Sequence, residues 1–264
     1  NEINLDLSLQ QKLDFLTKGL SLNIKGSYNS GYTHRKNRYK EIPYYTAHRD
    51  PETNELFFRK FREESQLYFE ESTDRGRNWY LEGSLNYDRK FGKHQVGALI
   101  LYNQWRDQYP DPAQFDYVSI PRGYVGLVGR ATYNFDNRYL LGASFREDGS
   151  SRFGLNNQYG FFPSFSAAWR VSNENFFENA KKVIDDMKVR LSYGTVGNAE
   201  IGDYASMARY ENKRLPFGKD MTTIVTLKSM ANPDLRWEKS RQLDAGIDLS
   251  FFNGRIEFMA DYYH

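Results

Sequence analysis

Between residues 123 and 171 apolar and polar side chains alternate through four long strands. Val125, Leu127, Gly129, Ala131, Tyr133 and Phe135 share one parity; Tyr124, Gly126, Val128, Arg130, Thr132 and Asn134 share the other. A strand sends successive side chains to opposite faces, so one face is apolar and the other mixed. After Asp136-Asn137-Arg138 the pattern repeats, with Tyr139, Leu141, Ala143 and Phe145 against Leu140, Gly142, Ser144 and Arg146. Each strand runs to about 9–12 residues, against about 5 or 6 in soluble domains and the roughly 9–11 that a tilted strand needs to cross hydrocarbon. Length therefore favours the membrane.

The 264 residues suffice for one large β domain or two smaller ones. A mean hydropathy of −0.76 argues only weakly against a barrel, because lumen and loops stay wet. No run of about 18 apolar residues occurs, which excludes a transmembrane helix. Aromatics reach 16%, with 20 Tyr and 19 Phe, and suit interfacial girdles as well as a β core. Cysteine is absent, removing disulfides and thiol chemistry. The 36 basic and 34 acidic residues are spread along the chain, so nucleic acid is not indicated. No signal peptide opens the sequence. Ile3, Leu5, Leu7 and Leu9 already alternate with Asn4, Asp6 and Ser8, and residues 256–264 stop in mid-strand, so the chain reads as an internal fragment.

Tight connections are expected at residues 89–94 (RKFGKH), 136–138 and 252–255, where Asn253-Gly254 is a strong hairpin signal of the type I′ kind. Compact connections at 11–18 and 172–188 complete one set; Ser172 and Asn179 are expected to cap short helices in the second. Long polar segments at 30–78, 104–122, 147–160 and 198–236 form the other set. Barrels of outer membranes have short periplasmic turns and long extracellular loops. This places ten antiparallel strands near 2–10, 19–30, 77–89, 94–104, 122–135, 138–147, 160–171, 187–197, 237–251 and 255–264. Strand-like pieces at 55–59 with 66–71, and at 204–210 with 222–227, are expected as hairpins above the membrane.

Tyr87, Tyr133, Phe135, Tyr139, Trp169 and Phe251 then fall at periplasmic ends with outward parity; Tyr102, Phe145, Tyr193, Trp237 and Tyr262 fall at the opposite ends. Two such girdles match the headgroup levels of a bilayer, although aromatics also flank strands of soluble sandwiches. Glu82, Asp88, Arg130, Arg146, Arg170, Lys188, Arg190, Asp244, Asp248, Glu257 and Asp261 take inward parity. They call for water or a polar plug in the bore. The same charges also suit the solvated face of a half-buried sheet.

The run from Arg130 to Tyr139, FREDGSSRFG (145–154), FFPSFSAAWRVSNENFF (161–177), KVRLSYGTVGN (188–198) and NPDLRWEKSRQLDAGIDLSFFNGRIEFMADYY (232–263) resemble the SusC/RagA family of TonB-dependent outer-membrane transporters of Bacteroidetes. Thr17-Lys18-Gly19-Leu20-Ser21 resembles the family's early barrel, while residues 31–104 match less distinctly. The resemblance implies an all-β fold, a transmembrane antiparallel barrel of about 22 strands of which residues 1–264 supply ten. An N-terminal plug and the first and last strands would lie outside the sequence. It further implies import of oligosaccharides or peptides, a SusD-like surface lipoprotein as partner, and energy from TonB–ExbB–ExbD through the N-terminal part. A passive porin-like barrel and a soluble β-sandwich glycan-binding module are the alternatives.

No catalytic, cofactor-binding or metal-binding residue is assigned. Residues 146–152 lack EF-hand spacing, and Gly149-Ser150 is read as a turn with Asp148 and Arg152 paired across it. His34, His48, His94 and His264 show no HxH or HxxxH spacing, and GxSxG, P-loop and zinc signatures are absent. An enzyme is not indicated. Residues 39–45 (YKEIPYY), 105–117 and 204–210 are candidates for substrate or lipoprotein contact through exposed aromatics, or for packing the loops together. Individual substrate-binding residues remain unassigned.

Overall fold

A computed structural model describes residues 2–108, 121–203, 205–218 and 220–264. Among these residues fourteen strands are formed: β1 (Glu2–Lys12), β2 (Leu20–Tyr39), β3 (Tyr44–Arg49), β4 (Leu56–Arg62), β5 (Tyr68–Phe91), β6 (His94–Gln108), β7 (Arg122–Phe135), β8 (Tyr139–Ser150), β9 (Tyr159–Arg170), β10 (Ile184–Asn198), β11 (Arg209–Phe217), β12 (Asp220–Ser229), β13 (Glu238–Phe251) and β14 (Ile256–Tyr263). Ten of them make one antiparallel sheet in the order β1-β2-β5-β6-β7-β8-β9-β10-β13-β14, an up-and-down meander in which β1 and β14 are the edges. The pairs β3-β4 and β11-β12 are separate hairpins. A sandwich needs two packed sheets, so the soluble-sandwich alternative does not hold for the described residues.

One end of the sheet carries the tightest connections, set by turn chemistry, although the 171–183 connection at that end is longer than the 151–158 connection at the other. Gly92, at positive φ, leads a two-residue turn between the paired Phe91 and His94. Asp136 and Asn137 both have positive φ in the three-residue turn between Phe135 and Tyr139. The Asn134 side chain accepts from the Asn137 amide at 3.0 Å and fixes that turn. The Asn253-Gly254 pair is left-handed as expected, but Phe252 is too, and the turn between Phe251 and Ile256 has four residues rather than the two of a type I′ hairpin.

Three expectations are corrected. Residues 30–78 are not mainly loop: β2 and β5 pair residue for residue from Leu20↔Tyr87 to Tyr39↔Tyr68. Where both faces of a ribbon are wet, the apolar alternation that marks a strand disappears while the ladder continues. This also claims residues 68–71 of the expected 66–71 piece for β5, leaving β4 to pair with β3 instead. In the 171–183 connection three 3-10 turns form, and neither Ser172 nor Asn179 makes a capping bond. Ser172 is fully buried and donates to Asp186.

Register settles the two faces. One row reads Ala98↔Ala131↔Ala143↔Phe165↔Tyr193↔Leu243, and the next Val96↔Tyr133↔Leu141↔Ala167↔Leu191↔Ala245. The opposite face carries Gly97↔Thr132↔Gly142↔Ser166↔Ser192↔Asp244. Large apolar side chains such as Ile100, Leu141, Phe165 and Leu191 are more than half exposed on a face with nothing packed against it. Phe135, Tyr139 and Trp169 line up across three strands at the short-turn end. Trp237 departs from its expected girdle position.

The buried apolar residues among those described sit elsewhere: Phe153 in the 151–158 connection, Phe162 near the start of β9, and Val171 and Phe177 in the 171–183 turn. The β9-β10 ladder ends at Ser164↔Gly194. Beyond it Phe162 occupies space beside Gly197, where any Cβ would collide with its ring. Trp237 packs on Phe153 at 5.2 Å and on Phe162 at 5.4 Å, and its indole donates to the Gln158 carbonyl at 2.9 Å. Trp237 therefore joins the connections before β9 and β13. Its parity is not decisive because it precedes β13 rather than lying in it.

Candidate functional site

The polar face of the sheet is built from strand positions two residues apart, so charges from neighbouring strands meet directly. Arg190 donates to both carboxylate oxygens of Asp248 through Nε at 3.0 Å and to one of them through Nη2 at 2.8 Å; Nη2 also reaches Asp261 at 2.8 Å. Lys188 adds a 3.3 Å contact to Asp248. Toward the long-connection end Lys25 pairs with Glu82 at 3.3 Å and Arg146 with Asp148 at 2.6 Å. Between these clusters lies a concavity of about 700 Å³ lined by Arg130, Ser144, Ser164, Ser166, Ser192 and Asp244, among others. Small hydroxyl residues leave this strip open, and paired charges border it.

Asp148 corrects the expected loop pairing. β8 continues to Ser150, so Asp148 stands two residues from Arg146 on the same face rather than in a turn. Arg152 pairs instead with Asp203 at 3.1 Å; Asp203 also takes Arg122, which holds Asp107 at 2.8 Å. This chain of four charges ties the base of the 199–208 connection to β6 and β7. The continued parity Ser144, Arg146, Asp148, Ser150 is the signal for the longer strand.

Residues 1–264 match, along their whole length, the family described as TonB dependent receptor-like, beta-barrel. The chain belongs to that family. A TonB-dependent receptor of Formosa agariphila, P3, is 39% identical over 209 residues, covering 70% of this chain and 21% of that protein. The TonB-dependent receptor SusC of Bacteroides thetaiotaomicron is 39% identical over 137 residues, covering 50% and 14%. The chain thus spans about a fifth or less of these curated relatives. The RagAB peptide importer in its closed-closed state has the same fold, with a TM-score of 0.68 over 99% of this chain and 29% of that one, at 23% identity. As a member of the TonB-dependent receptor β-barrels the chain lies in the outer membrane, so the apolar face is the lipid face and the polar face the lumen; the short turns are periplasmic.

Of the three candidate contact segments, Tyr39, Ile42, Tyr44 and Tyr45 are all exposed near the base and first strand of the β3-β4 hairpin. Trp105 lies on the lumenal side of β6, opposite Tyr80 and Tyr124. Residues 109–117 and Tyr204 lie outside the described residues; of the remainder, Met207 and Tyr210 are exposed. The histidines serve separate partners: His34 meets Glu71 and Thr73, His48 meets Thr46, and His94 meets Tyr133.

At the periplasmic end, Glu174 accepts from the Tyr139 hydroxyl at 2.8 Å, the Trp169 indole at 3.1 Å and Arg138 at 3.4 Å. Asn173 donates to the Asn137 carbonyl at 3.0 Å, so one periplasmic turn clasps the next. The hydrogen bonds from Tyr139 and Trp169, aided by Arg138, hold Glu174 below the ordinary glutamate value of 4.5. A depressed carboxyl pKa contributes stability that is complete above the unfolded value and is lost as pH falls through the folded one. Acidification from neutral pH through and below the ordinary glutamate range is therefore expected to release the clasp, read as faster hydrogen exchange in residues 171–183. Glu174→Gln is expected to remove that pH step; a step of equal size in the variant would show that another group titrates.

Proposed function

We propose that this sheet is the wall of an importer that moves large nutrients, oligosaccharides or peptides, across the outer membrane with energy from TonB–ExbB–ExbD. In this reading the N-terminal part of the whole protein supplies the plug and the TonB contact, and a SusD-like surface lipoprotein covers the mouth. The observation that carries it is the lumenal face: small hydroxyl residues bordered by Arg190–Asp248 and Arg146–Asp148 pairs, a lining suited to a polar domain or hydrated cargo. The family match over the full chain supports the same reading, and the name of the RagAB neighbour puts peptides among the cargoes to be tested. The exposed aromatics of residues 39–45, above the membrane, are offered as contacts for the lipoprotein.

The test is uptake in cells that carry the full-length transporter. Deleting TonB is expected to abolish uptake of the cargo while the protein stays in the outer membrane, and affinity purification is expected to bring down a surface lipoprotein. Uptake that persists without TonB would establish the passive porin-like alternative.

A further inference from the structure

We infer that the outward face of β5 and β6, at its extracellular end, holds the phosphorylated headgroup of an outer-leaflet lipid through Arg77 and Arg106, with Arg75 beside them. The site lies on the outside of the wall and is independent of what the lumen carries.

Arg106 has the parity of Val96, Ala98, Ile100 and Tyr102, so it faces lipid. From His94, in line with Phe135, Tyr139 and Trp169 at the periplasmic ring, the strand advances twelve residues to reach it. At about 3.4 Å per residue and a tilt of about 40°, that is roughly 30 Å, past an apolar band about 25 Å tall. Arg106 therefore emerges in the outer headgroup layer. Its cross-strand partner Trp79, itself paired with Tyr28, marks the same level. Charge is sorted by face here. Arg75, Arg77 and Arg106 point outward, whereas Asp74 and Asp107 have inward parity and Asp107 is taken by Arg122 at 2.8 Å. Arg77 and Arg106 are diagonal neighbours, about 7–8 Å apart at the backbone. Both are exposed, and neither makes an ion pair among the described residues; Arg77 Nε donates to the neutral Gln108 amide oxygen. The carboxylates on this face are distant: Glu71 lies four residues beyond Arg75 and is held by His34 and Lys36, and Glu147 lies two strands away on β8.

Two neighbouring guanidiniums repel unless an anion lies between them, and a phosphate accepts from both forks. An outward side chain at this height meets lipid headgroups, and basic residues at that level are the usual recognition element for anionic ones. The wall beneath the arginines suits the rest of a lipid. Gly83 leaves open space there, with nothing within 4 Å of a Cβ position, between Leu81 and Leu85, which are 42% and 40% exposed. Ile24 and Tyr102 flank Gly83 on the neighbouring strands. This furrow takes an acyl chain while the phosphate of the same molecule reaches Arg77 and Arg106. A free anion would gain nothing from the furrow, so the geometry favours a lipid over dissolved phosphate.

The experiment uses the full-length protein in detergent, titrated with lipid A carrying phosphate and with the same lipid stripped of phosphate, and read by native mass spectrometry. The wild type is expected to prefer the phosphorylated lipid about tenfold or more, and excess inorganic phosphate is expected not to displace it. The double variant Arg77→Gln/Arg106→Gln should lose the preference, with heat-modifiable gel migration unchanged as the sign of an intact barrel. Arg130→Gln, on the lumenal face, should keep it. The wild-type comparison of the two lipids needs no variant, so it decides the matter even if the double variant misfolds. Equal binding of both lipids, full displacement by inorganic phosphate, or a preference unchanged in the folded double variant would overturn the site. A surface protein that co-purifies with the wild type and is lost from the double variant, with lipid preference unchanged, would assign the patch to a protein instead. None of these outcomes touches TonB-dependent uptake, which stands or falls separately.

Discussion

Arginine at Ala143 is expected to destabilise the barrel by about 2–4 kcal/mol, the cost of a charge near the bilayer midplane on a lipid-facing strand. Ala143 is exposed on the apolar face, midway along β8, with Ala131 and Phe165 as its cross-strand neighbours. The matched substitution Ser192→Arg lies at similar height but faces the lumen directly opposite Asp244. There the guanidinium meets water and a carboxylate, and the change should stay within about 0.5 kcal/mol. Urea unfolding of the full-length protein in lipid vesicles, followed by heat-modifiable migration, measures both. Equal destabilisation, or a larger effect at Ser192, would reverse the assignment of faces and with it the direction of the wall.

The second large effect is expected at Gly19. Its φ is +88°, and a Cβ there would run into the Asp88 carbonyl oxygen of the neighbouring strand. The Asp88 amide also donates to the Gly19 carbonyl at 3.0 Å, while the Gly19 amide is held by Asp14 at 2.8 Å. The periplasmic turn therefore has no slack in which to absorb a methyl group. A left-handed L-residue costs about 1–2 kcal/mol by itself, and the backbone collision should raise Gly19→Ala to about 3 kcal/mol or more. Gly92→Ala provides the contrast, since Gly92 is also left-handed at +56° but has nothing within 4 Å of its Cβ position. That variant should lose only about 1–2 kcal/mol. Similar losses at the two sites would mean that handedness alone, without the Asp88 contact, sets the cost.

The membrane part of the sheet is legible in the sequence because hydrocarbon imposes a rule on every second residue. Ala143 against Ser144, or Leu191 against Ser192, announces a face through local alternation alone. The rule lapses above the membrane, where both sides of a strand are wet and the alternation carries no information. β2 runs on through Tyr28, Tyr32 and Tyr39 with polar residues between them, so its continuation has the composition of a loop. Asp148 escapes a local reading for the same reason, since Gly149-Ser150 has turn chemistry and only the pairing Gly126↔Asp148 shows that the strand continues. Trp237 is hidden differently: its contacts with Phe153 and Phe162 are long-range and leave no local period. The lumenal charges are half visible, as inward parity at Arg190 and Asp248, whereas their pairing follows only from cross-strand register.

The β2-β5 ribbon has a mechanical consequence. Its ladder carries no register break from Leu20↔Tyr87 to Tyr39↔Tyr68, so it reaches far beyond the roughly 9–11 residues needed inside the bilayer. A two-stranded ribbon without a bulge lacks the usual place to kink, and displacement of its tip is carried to its root. The root is the turn at Gly19, wedged against Asp88. Whatever leans on the outer hairpin β3-β4 therefore works a lever whose fulcrum lies in the lipid and whose short arm ends in the periplasm.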